Sequence, residues 1–315
     1  MAHHINLQDI HDTLVSVAFE AGKMIMAANP NDISQETKMN SADIVTETDQ
    51  AVEAMISSHL TQKYPSYSFV GEETYIPGKT AITNEPTFIV DPIDGTTNFI
   101  HGFPNACVSL GFAVDRIPAV GVVYNPFQDL LYTGILGAGS YMQRNASLPE
   151  GSEFKPKRVK LGPGKKLGDL SSALVAVEWG SERKGQNFAI KTRVFQKLTA
   201  AKEADLEHHE VGLVGGGSMV HSLRSLGSAA LNLCACAAGQ VDLYWEGGCY
   251  PWDVCAGWCI LVEAGGRMVS GNKGGWETQL DSRVYLAVRG AKGGQEEIVK
   301  EFWDAIGDEE MVYKY

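Results

Sequence analysis

Long apolar runs are missing from this chain, and so is any excess of basic charge. No stretch approaches the roughly 18 uninterrupted apolar residues of a membrane-spanning helix. The N-terminus, Met1-Ala2-His3-His4-Ile5-Asn6, has no basic segment leading into an apolar one, so no secretion signal is expected. Lysine and arginine number 26 against 38 aspartates and glutamates, a formal charge of −12. A nucleic-acid polymer or an anionic membrane surface is therefore not an expected partner. A small phosphorylated molecule still is, provided metal cations reverse the sign locally.

Cysteine is sparse, with six in 315 residues: Cys107, Cys234, Cys236, Cys249, Cys255 and Cys259. No Cys-x-x-Cys pair occurs, and the surroundings are apolar, as in Leu231–Cys236. These features read as reduced core thiols in a cytoplasmic protein. Zinc is the sharper alternative, since Cys255 and Cys259 stand at helical i, i+4 spacing. Signatures of other hydrolytic chemistry are absent too. No cysteine has arginine at the Cys-x5-Arg offset, no Asp-x-Asp occurs, and there is no Gly-x-Ser-x-Gly elbow. Gly162-Pro163-Gly164-Lys165-Lys166 lacks the Ser or Thr that a phosphate-binding Walker loop places after its lysine.

What is present is an ordinary globular composition, 44% hydrophobic and 20% charged, long enough for one large domain or two halves sharing a core. Asn6 is a helix cap followed by Leu7, Ile10, Leu14, Val17, Ala18, Ala21 and Ile25, an apolar stripe that predicts a helix over 6–28. Residues 31–43, with Lys38 and Asp43, read as a mobile loop. A second helix is expected from near Thr48 to before Pro65, buried through Val52, Met55, Ile56 and Leu60. Thr87–Val90 reads as a short strand broken by Asp91-Pro92. Cys107–Val114, Ala119–Tyr124 and Leu130–Gly134 follow as strands with short turns, the pattern of an antiparallel sheet. Residues 144–170 collect prolines, glycines and five lysines and read as a loop or linker. Beyond it, Ala173–Val177 is a strand and Phe188–Lys202 a helix, while 203–218 is a second polar loop. Helices at Leu226–Ala238 and Val254–Ala264, a strand at Val284–Val288 and a helix at Gln295–Ile306 complete the pattern. The division this suggests is a metal-binding half over 1–145, a linker over 146–170 and a substrate-side half over 171–315, acting as one catalytic unit.

The segment richest in chemistry is Phe88-Ile89-Val90-Asp91-Pro92-Ile93-Asp94-Gly95-Thr96-Thr97-Asn98-Phe99. Apolar residues carry two aspartates to a strand end. Pro92 has no N–H to donate and a fixed φ. Gly95 allows a close approach or a positive φ, and a helix can start at Thr96 with its amides open to a phosphate oxygen. Oxygen donors without histidine suit Mg²⁺ or Mn²⁺ rather than zinc. Glu72-Glu73, Asp49 and Asp253 are the further carboxylates that can converge there. Taken singly, each has a plain reading as a turn, a solvated face or a helix cap. Together, near apolar runs, they would repel one another strongly without cations.

At this point the residues resemble the inositol monophosphatase family, within the lithium-sensitive, magnesium-dependent phosphatases. Gly71-Glu72-Glu73-Thr74, Asp91-Pro92-Ile93-Asp94-Gly95-Thr96 and Trp252-Asp253-Val254-Cys255-Ala256-Gly257 carry the match, in the family's order. The resemblance implies an α+β fold: a layered αβαβα sandwich, with a largely antiparallel sheet in the N-terminal half and a mixed sheet in the C-terminal half. It implies hydrolysis of a small phosphorylated polyol by a water that bound metal makes acidic, without a covalent intermediate. One Mg²⁺ would be held by Glu72, Asp91 and the Ile93 carbonyl, and a second by Asp91, Asp94 and Asp253. A third, weaker ion would lie near Glu72. Asp49 and Thr96 would orient and deprotonate the water, with Glu72 assisting. Gly95 and Thr96 amides would hold the phosphate, while Gly227, Ser228, Ala229, Glu246 and Asp253 face the alcohol. Glu73 and Lys38 are accessory, Lys38 lying in the family's loop over the site. A homodimer is also implied. The segment Gly247-Gly248-Cys249-Tyr250-Pro251 departs from the family's animal enzymes, and 145–157 and 203–218 look like insertions. Sibling substrates stay open: a nucleotide 3′-phosphate, a sugar bisphosphate or histidinol phosphate. So does a silent regulatory protein on the same fold.

Overall fold

The computed structural model describes residues 5–28, 35–37, 44–202 and 216–313. Lys38, Asp43 and the 203–215 part of the second polar loop lie outside those residues. Part of the expected loop over 31–43 is instead a short antiparallel pair, β1 (Gln35–Thr37) on β2 (Ile44–Thr46).

Helix α1 (Leu7–Ala27) starts where Asn6 accepts the Asp9 amide at 3.1 Å, and it buries Ile10, Leu14, Val17, Ala18, Ala21 and Ile25 as the 3.6-residue spacing demands. Helix α2 (Glu47–Lys63) is opened by Thr46 and buries Val52, Ile56 and Leu60. Both rest on one face of a seven-stranded sheet, ordered β3 (Ser68–Gly71), β4 (Thr87–Asp94), β5 (Cys107–Val114), β6 (Ile117–Asn125), β7 (Leu130–Ile135), β8 (Gly139–Arg144) and β9 (Val159–Lys160). Only β3–β4 is parallel; every other pair is antiparallel. The expected break at Asp91-Pro92 is not the end of β4. The strand runs on to Asp94 through a bulge: Asp91 pairs with Ser109, Asp94 with Cys107, and the register shifts between them. Pro92 sits in that interruption, where no ladder donor is required.

The second sheet is mixed and five-stranded, ordered β11 (Ser222–Arg224), β10 (Leu174–Val177), β12 (Leu243–Gly247), β14 (Val284–Val288) and β13 (Arg267–Ser270). Strand β10 runs parallel to β11 and β12, and β14 antiparallel to β12 and β13. Helices α4 (Gly185–Thr199) and α7 (Gln295–Ile306) cover its outer face through Ile190, Val194, Val299 and Phe302. Between the sheets lie α5 (Ala229–Ala237) and α6 (Pro251–Glu263), sharing one apolar core with both. The layers thus read α, β, α, β, α. The helix expected over Leu226–Ala238 starts later, because Ser228 caps it by accepting the Leu231 amide at 3.2 Å. The short helix α3 (Thr96–Ile100) leaves directly from β4.

A row of glycines seats α6 on the first sheet. Gly111 pairs with Gly121, and Gly121 with Gly134, across three neighbouring strands. A Cβ on Gly111 would lie 2.5 Å from Cys255 Sγ, one on Gly134 3.0 Å from the Ile260 Cα, and one on Gly121 inside the Ala256 carbonyl. The helix backbone fills the space that side chains would take. Gly121→Ala is therefore expected to lift α6 and destabilise the protein by about 1–3 kcal/mol, measured as a lowered urea midpoint. An unchanged midpoint would show that the seat tolerates a methyl group.

Candidate functional site

Five carboxylates from four separate segments meet at one end of the first sheet. Asp91 and Asp94 come from the bulged end of β4, Glu72 from the residue after β3, Asp49 from the first turn of α2 and Asp253 from the first turn of α6. Their proximity shows in their mutual electrostatics. Burial pushes Asp91 well above the usual carboxylate range, and the charges of Glu72, Asp94, Asp253 and Asp49 add to it. Burial likewise raises Asp253 strongly, followed by the Asp94 and Glu72 charges. Asp94 is pushed up to about 6 by burial, opposed by hydrogen bonds from Ser228 and Ala230. Asp49 reaches about 6 for the same first reason, opposed by Thr46 and pushed further by Glu72.

Each aspartate has one oxygen fixed by a local donor. Asp49 Oδ2 accepts the Thr46 amide at 2.9 Å and the Thr46 hydroxyl, while its Oδ1 accepts Thr96 Oγ1 at 3.3 Å. Thr96 Oγ1 also donates to the Ile93 carbonyl at 3.1 Å. Asp91 Oδ1 accepts the Ile93 amide at 2.9 Å. Asp94 Oδ2 accepts Ser228 Oγ and the Ala230 amide, both at 2.7 Å. Asp253 Oδ2 accepts the Tyr250 amide at 2.6 Å. Gly95, at φ +96°, turns the chain from β4 into α3 and so brings Thr96 back under Asp49. Among the described residues no three His, Cys, Asp or Glu side chains already close into a coordination shell. The carboxylates are neighbours, held apart by their own donors. The donor set is all oxygen, largely buried and mutually repelling, which fits a hard divalent cation.

Gly227, Ser228 and Ala229 lie beside this cluster at the start of α5, reached through the Ser228–Asp94 hydrogen bond. Glu246 stands on β12, buried, accepting the Tyr244 hydroxyl. Burial pushes it up to about 7, the Glu178 charge adding and the Lys191 charge opposing. Glu73 turns elsewhere and lines a groove over α2 with Gln50 and Ser57. All six cysteines are free and buried.

Two buried acids escaped the sequence reading. Glu53, one turn after Asp49 on α2, accepts the Glu73 amide at 2.7 Å, and its carboxylate fills the space beside Gly71. The i, i+4 spacing from Asp49 was the available signal. Glu178, just past β10, accepts the amides of Leu226 and Gly227 at 2.6 and 2.9 Å, Asn232 Nδ2 at 2.9 Å and Ser225 Oγ at 3.0 Å. Its partners lie about fifty residues away in the chain and half of them are backbone amides, which leaves no pattern in the sequence. On the other side of that loop, Asn98 Nδ2 donates to Leu226 O at 2.7 Å and Asn105 Nδ2 to the same carbonyl at 3.0 Å.

The raised carboxyls set a pH dependence for the metal-free protein. Asp49 and Asp94 near 6 and Glu246 near 7 hold protons in the folded state that the unfolded chain, titrating near 4, gives up. Their stabilising protonation is complete below about pH 4 and is lost as pH rises through about 6–7. With a chelator present, the melting temperature is expected to fall by several degrees from pH 5 to pH 7.5, and excess Mg²⁺ to abolish most of that fall. Thermal melts in EDTA and in Mg²⁺ at both pH values check this. Equal melting temperatures in EDTA would contradict it.

Comparison with known proteins places this geometry. The family model described as the inositol monophosphatase family matches residues 6–306. The chain is 43% identical over 310 residues to inositol monophosphatase 2 of Saccharomyces cerevisiae, covering 96% of this chain and 97% of that protein. It is 38% identical over 339 residues to quinic acid degradation cluster protein x of Neurospora crassa, covering 95% and 94%. The solved inositol monophosphatase of Anabaena (Nostoc) superposes with a TM-score of 0.69 at 27% identity, covering 96% of each chain. With the match spanning both sheets and every layer between them, this chain belongs to the inositol monophosphatase family.

Proposed function

We propose that the protein hydrolyses inositol monophosphate to inositol and phosphate with Mg²⁺ as its cation. The observation that carries this reading is the cluster of buried Asp49, Asp91 and Asp94 with partly buried Glu72 and Asp253, whose charges repel one another with Thr96 aimed into their midst. Glu72, Asp91 and the Ile93 carbonyl would hold one ion, Asp91, Asp94 and Asp253 a second, and the surroundings of Glu72 a weaker third; Mn²⁺ suits the same donors. When bound, the ions supply charge for the phosphate and leaving oxygens and lower the pKa of water.

The chain's own residues do the rest. Thr96 Oγ1 accepts a proton from the attacking water as its own hydroxyl hydrogen passes toward Asp49 Oδ1, 3.3 Å away. The Thr46 hydrogen bonds keep the other Asp49 oxygen turned away, so Oδ1 alone faces Thr96. The amides of Gly95 and Thr96, at the start of α3, meet the phosphate. Gly227, Ser228, Ala229 and Glu246 border the alcohol. The N-terminal part thus supplies most of the metal side, and the C-terminal part Asp253 and the alcohol side, of one catalytic unit. A homodimer in the cytoplasm belongs to the same reading; none of the described helices is long and apolar enough to cross a membrane.

A second reading keeps the chemistry and changes the ester. One of the relatives carries a quinic acid degradation name, and the Gly247–Pro251 segment lies between Glu246 and Asp253. A nucleotide 3′-phosphate, a sugar bisphosphate, histidinol phosphate or a catabolic phosphate monoester would use the same carboxylates. A silent regulatory role is disfavoured, because each carboxylate and Thr96 is retained.

Asp94→Asn is expected to lower kcat at least about a hundredfold while the protein stays folded. Phosphate release from inositol 1-phosphate, alongside the sibling esters, measures both the loss and the substrate order. Near-normal turnover in the folded variant would sink the site; a preferred sibling ester would replace the substrate and leave the site standing.

A further inference from the structure

The segment between Glu246 and Asp253 has neighbours that the chemistry above does not use. Arg283, buried at the start of β14, donates from Nε to the Cys249 carbonyl at 2.8 Å and from Nη2 to the Gly248 carbonyl at 2.7 Å. Its guanidinium lies 3.5 Å from the centre of the Tyr250 ring. Tyr250 stacks on Trp252 at 4.6 Å with 8° between the planes. Trp252 meets Tyr75 at 4.9 Å, and Tyr75 is 5.9 Å from Tyr250. Tyr75 follows Glu72 by three residues, and Trp252 precedes Asp253 by one. The pile of rings therefore joins two carboxylate-bearing segments that are far apart in the chain.

The strength of such a joint is limited but directional. Aromatic pairs and a guanidinium over a ring each add a modest attraction beyond area burial that depends on their geometry. Arg283 is suited to this because its planar fork can bond two carbonyls and lie on a ring at once, which an ammonium cannot. The Tyr250 amide also donates to Asp253 Oδ2, so the ring's place and the carboxylate's orientation are fixed by one residue. We propose that Arg283, Tyr250 and Tyr75 are positioning residues that set the distance between Glu72 and Asp253, and through it the affinity of the cluster for its divalent cation. The inference rests on the metal reading given above and concerns groups argued to act through Glu72 and Asp253.

The test is calorimetric titration of Mg²⁺ alone into full-length, metal-stripped protein, with the metal-free melting temperature recorded beside it. Tyr75→Ala, at a half-buried position, is expected to raise the Mg²⁺ Kd about threefold to tenfold. Tyr75→Phe keeps the ring and is expected to restore the wild-type Kd. Arg283→Lys keeps the charge but not the fork, and is expected to weaken Mg²⁺ as Tyr75→Ala does. Tyr67→Ala is the structural control: Tyr67 stacks on Tyr64 and packs on Phe112 beneath α1 and α2, so its loss lowers the melting temperature and leaves the Kd alone. In turnover assays, Tyr75→Ala shifts the half-saturating Mg²⁺ concentration far more than kcat at saturation. An unchanged Kd in Tyr75→Ala and in a second variant, Tyr250→Ala, overturns the proposal, as does equal weakening in Tyr67→Ala. Wild-type protein that takes up no Mg²⁺ sinks the metal reading and this inference with it.

Discussion

Helix α6 can lie flat against the seven-stranded sheet only because Gly111, Gly121 and Gly134 leave a side-chain-free groove across three strands. Much else follows from that contact. The helix backbone comes close enough for Cys255, Ala256 and Ile260 to enter the pleat, and its other face packs on α5 and the second sheet. Its N-terminus then stands level with the end of β4, so Asp253 arrives beside Asp91 and Asp94. A helix held even one methyl radius farther off would carry that carboxylate out of the cluster. The glycine row is thus a packing device whose output is the spacing of charges.

Those charges are the place where local preferences conflict with the fold. Buried carboxylates are expected to find a cation or to take up protons. Here Asp49, Asp91, Asp94 and Asp253 are met by hydrogen-bond donors: an amide and hydroxyl of Thr46, the Ile93 amide, the Ser228 hydroxyl with the Ala230 amide, and the Tyr250 amide. Such donors fix where each oxygen points without neutralising it. The result is a set of aimed carboxylates whose mutual repulsion a bound cation would relieve. Natural sequences concentrate conflicts of this kind at functional sites and compensate for them elsewhere.

The parts of this fold that are legible in the sequence are those with a strong period. Helices α1 and α7 show through their 3.6-residue stripes, and β5 and β14 through unbroken β-prone runs. Strands β12 and β13 are harder to see, because four or five residues buried by tertiary contact carry little period of their own. Pro92 misleads for a better reason: a proline ends most ladders, and only the bulge lets β4 continue past it. The convergence of the carboxylates was legible as an ensemble, and the plain reading as helix-start residues holds for two of the same side chains. Asp49 caps α2 through Oδ2 and faces Thr96 through Oδ1. Asp253 sits in the first turn of α6, bonded to the Tyr250 amide. The caps are what orient the carboxylates. Glu53 was signalled only by its i, i+4 spacing from Asp49, and Glu178 stayed hidden because its partners lie about fifty residues away in the chain.

Asp94 is where the two sheets meet chemically. It belongs to β4 by its backbone, yet Oδ2 is held by Ser228 and Ala230 at the start of α5. The loop that supplies those donors is itself fixed from the second sheet by Glu178 and from α3 by Asn98. A change in the Ser225–Ala229 loop is therefore felt at once in the orientation of a carboxylate on the other sheet. The Gly247–Pro251 segment has a looser tie, through stacked rings and two carbonyls bound by Arg283. Differences in substrate among relatives are accordingly expected to accumulate in the second segment. That segment can change without disturbing the hydrogen bonds that aim Asp94.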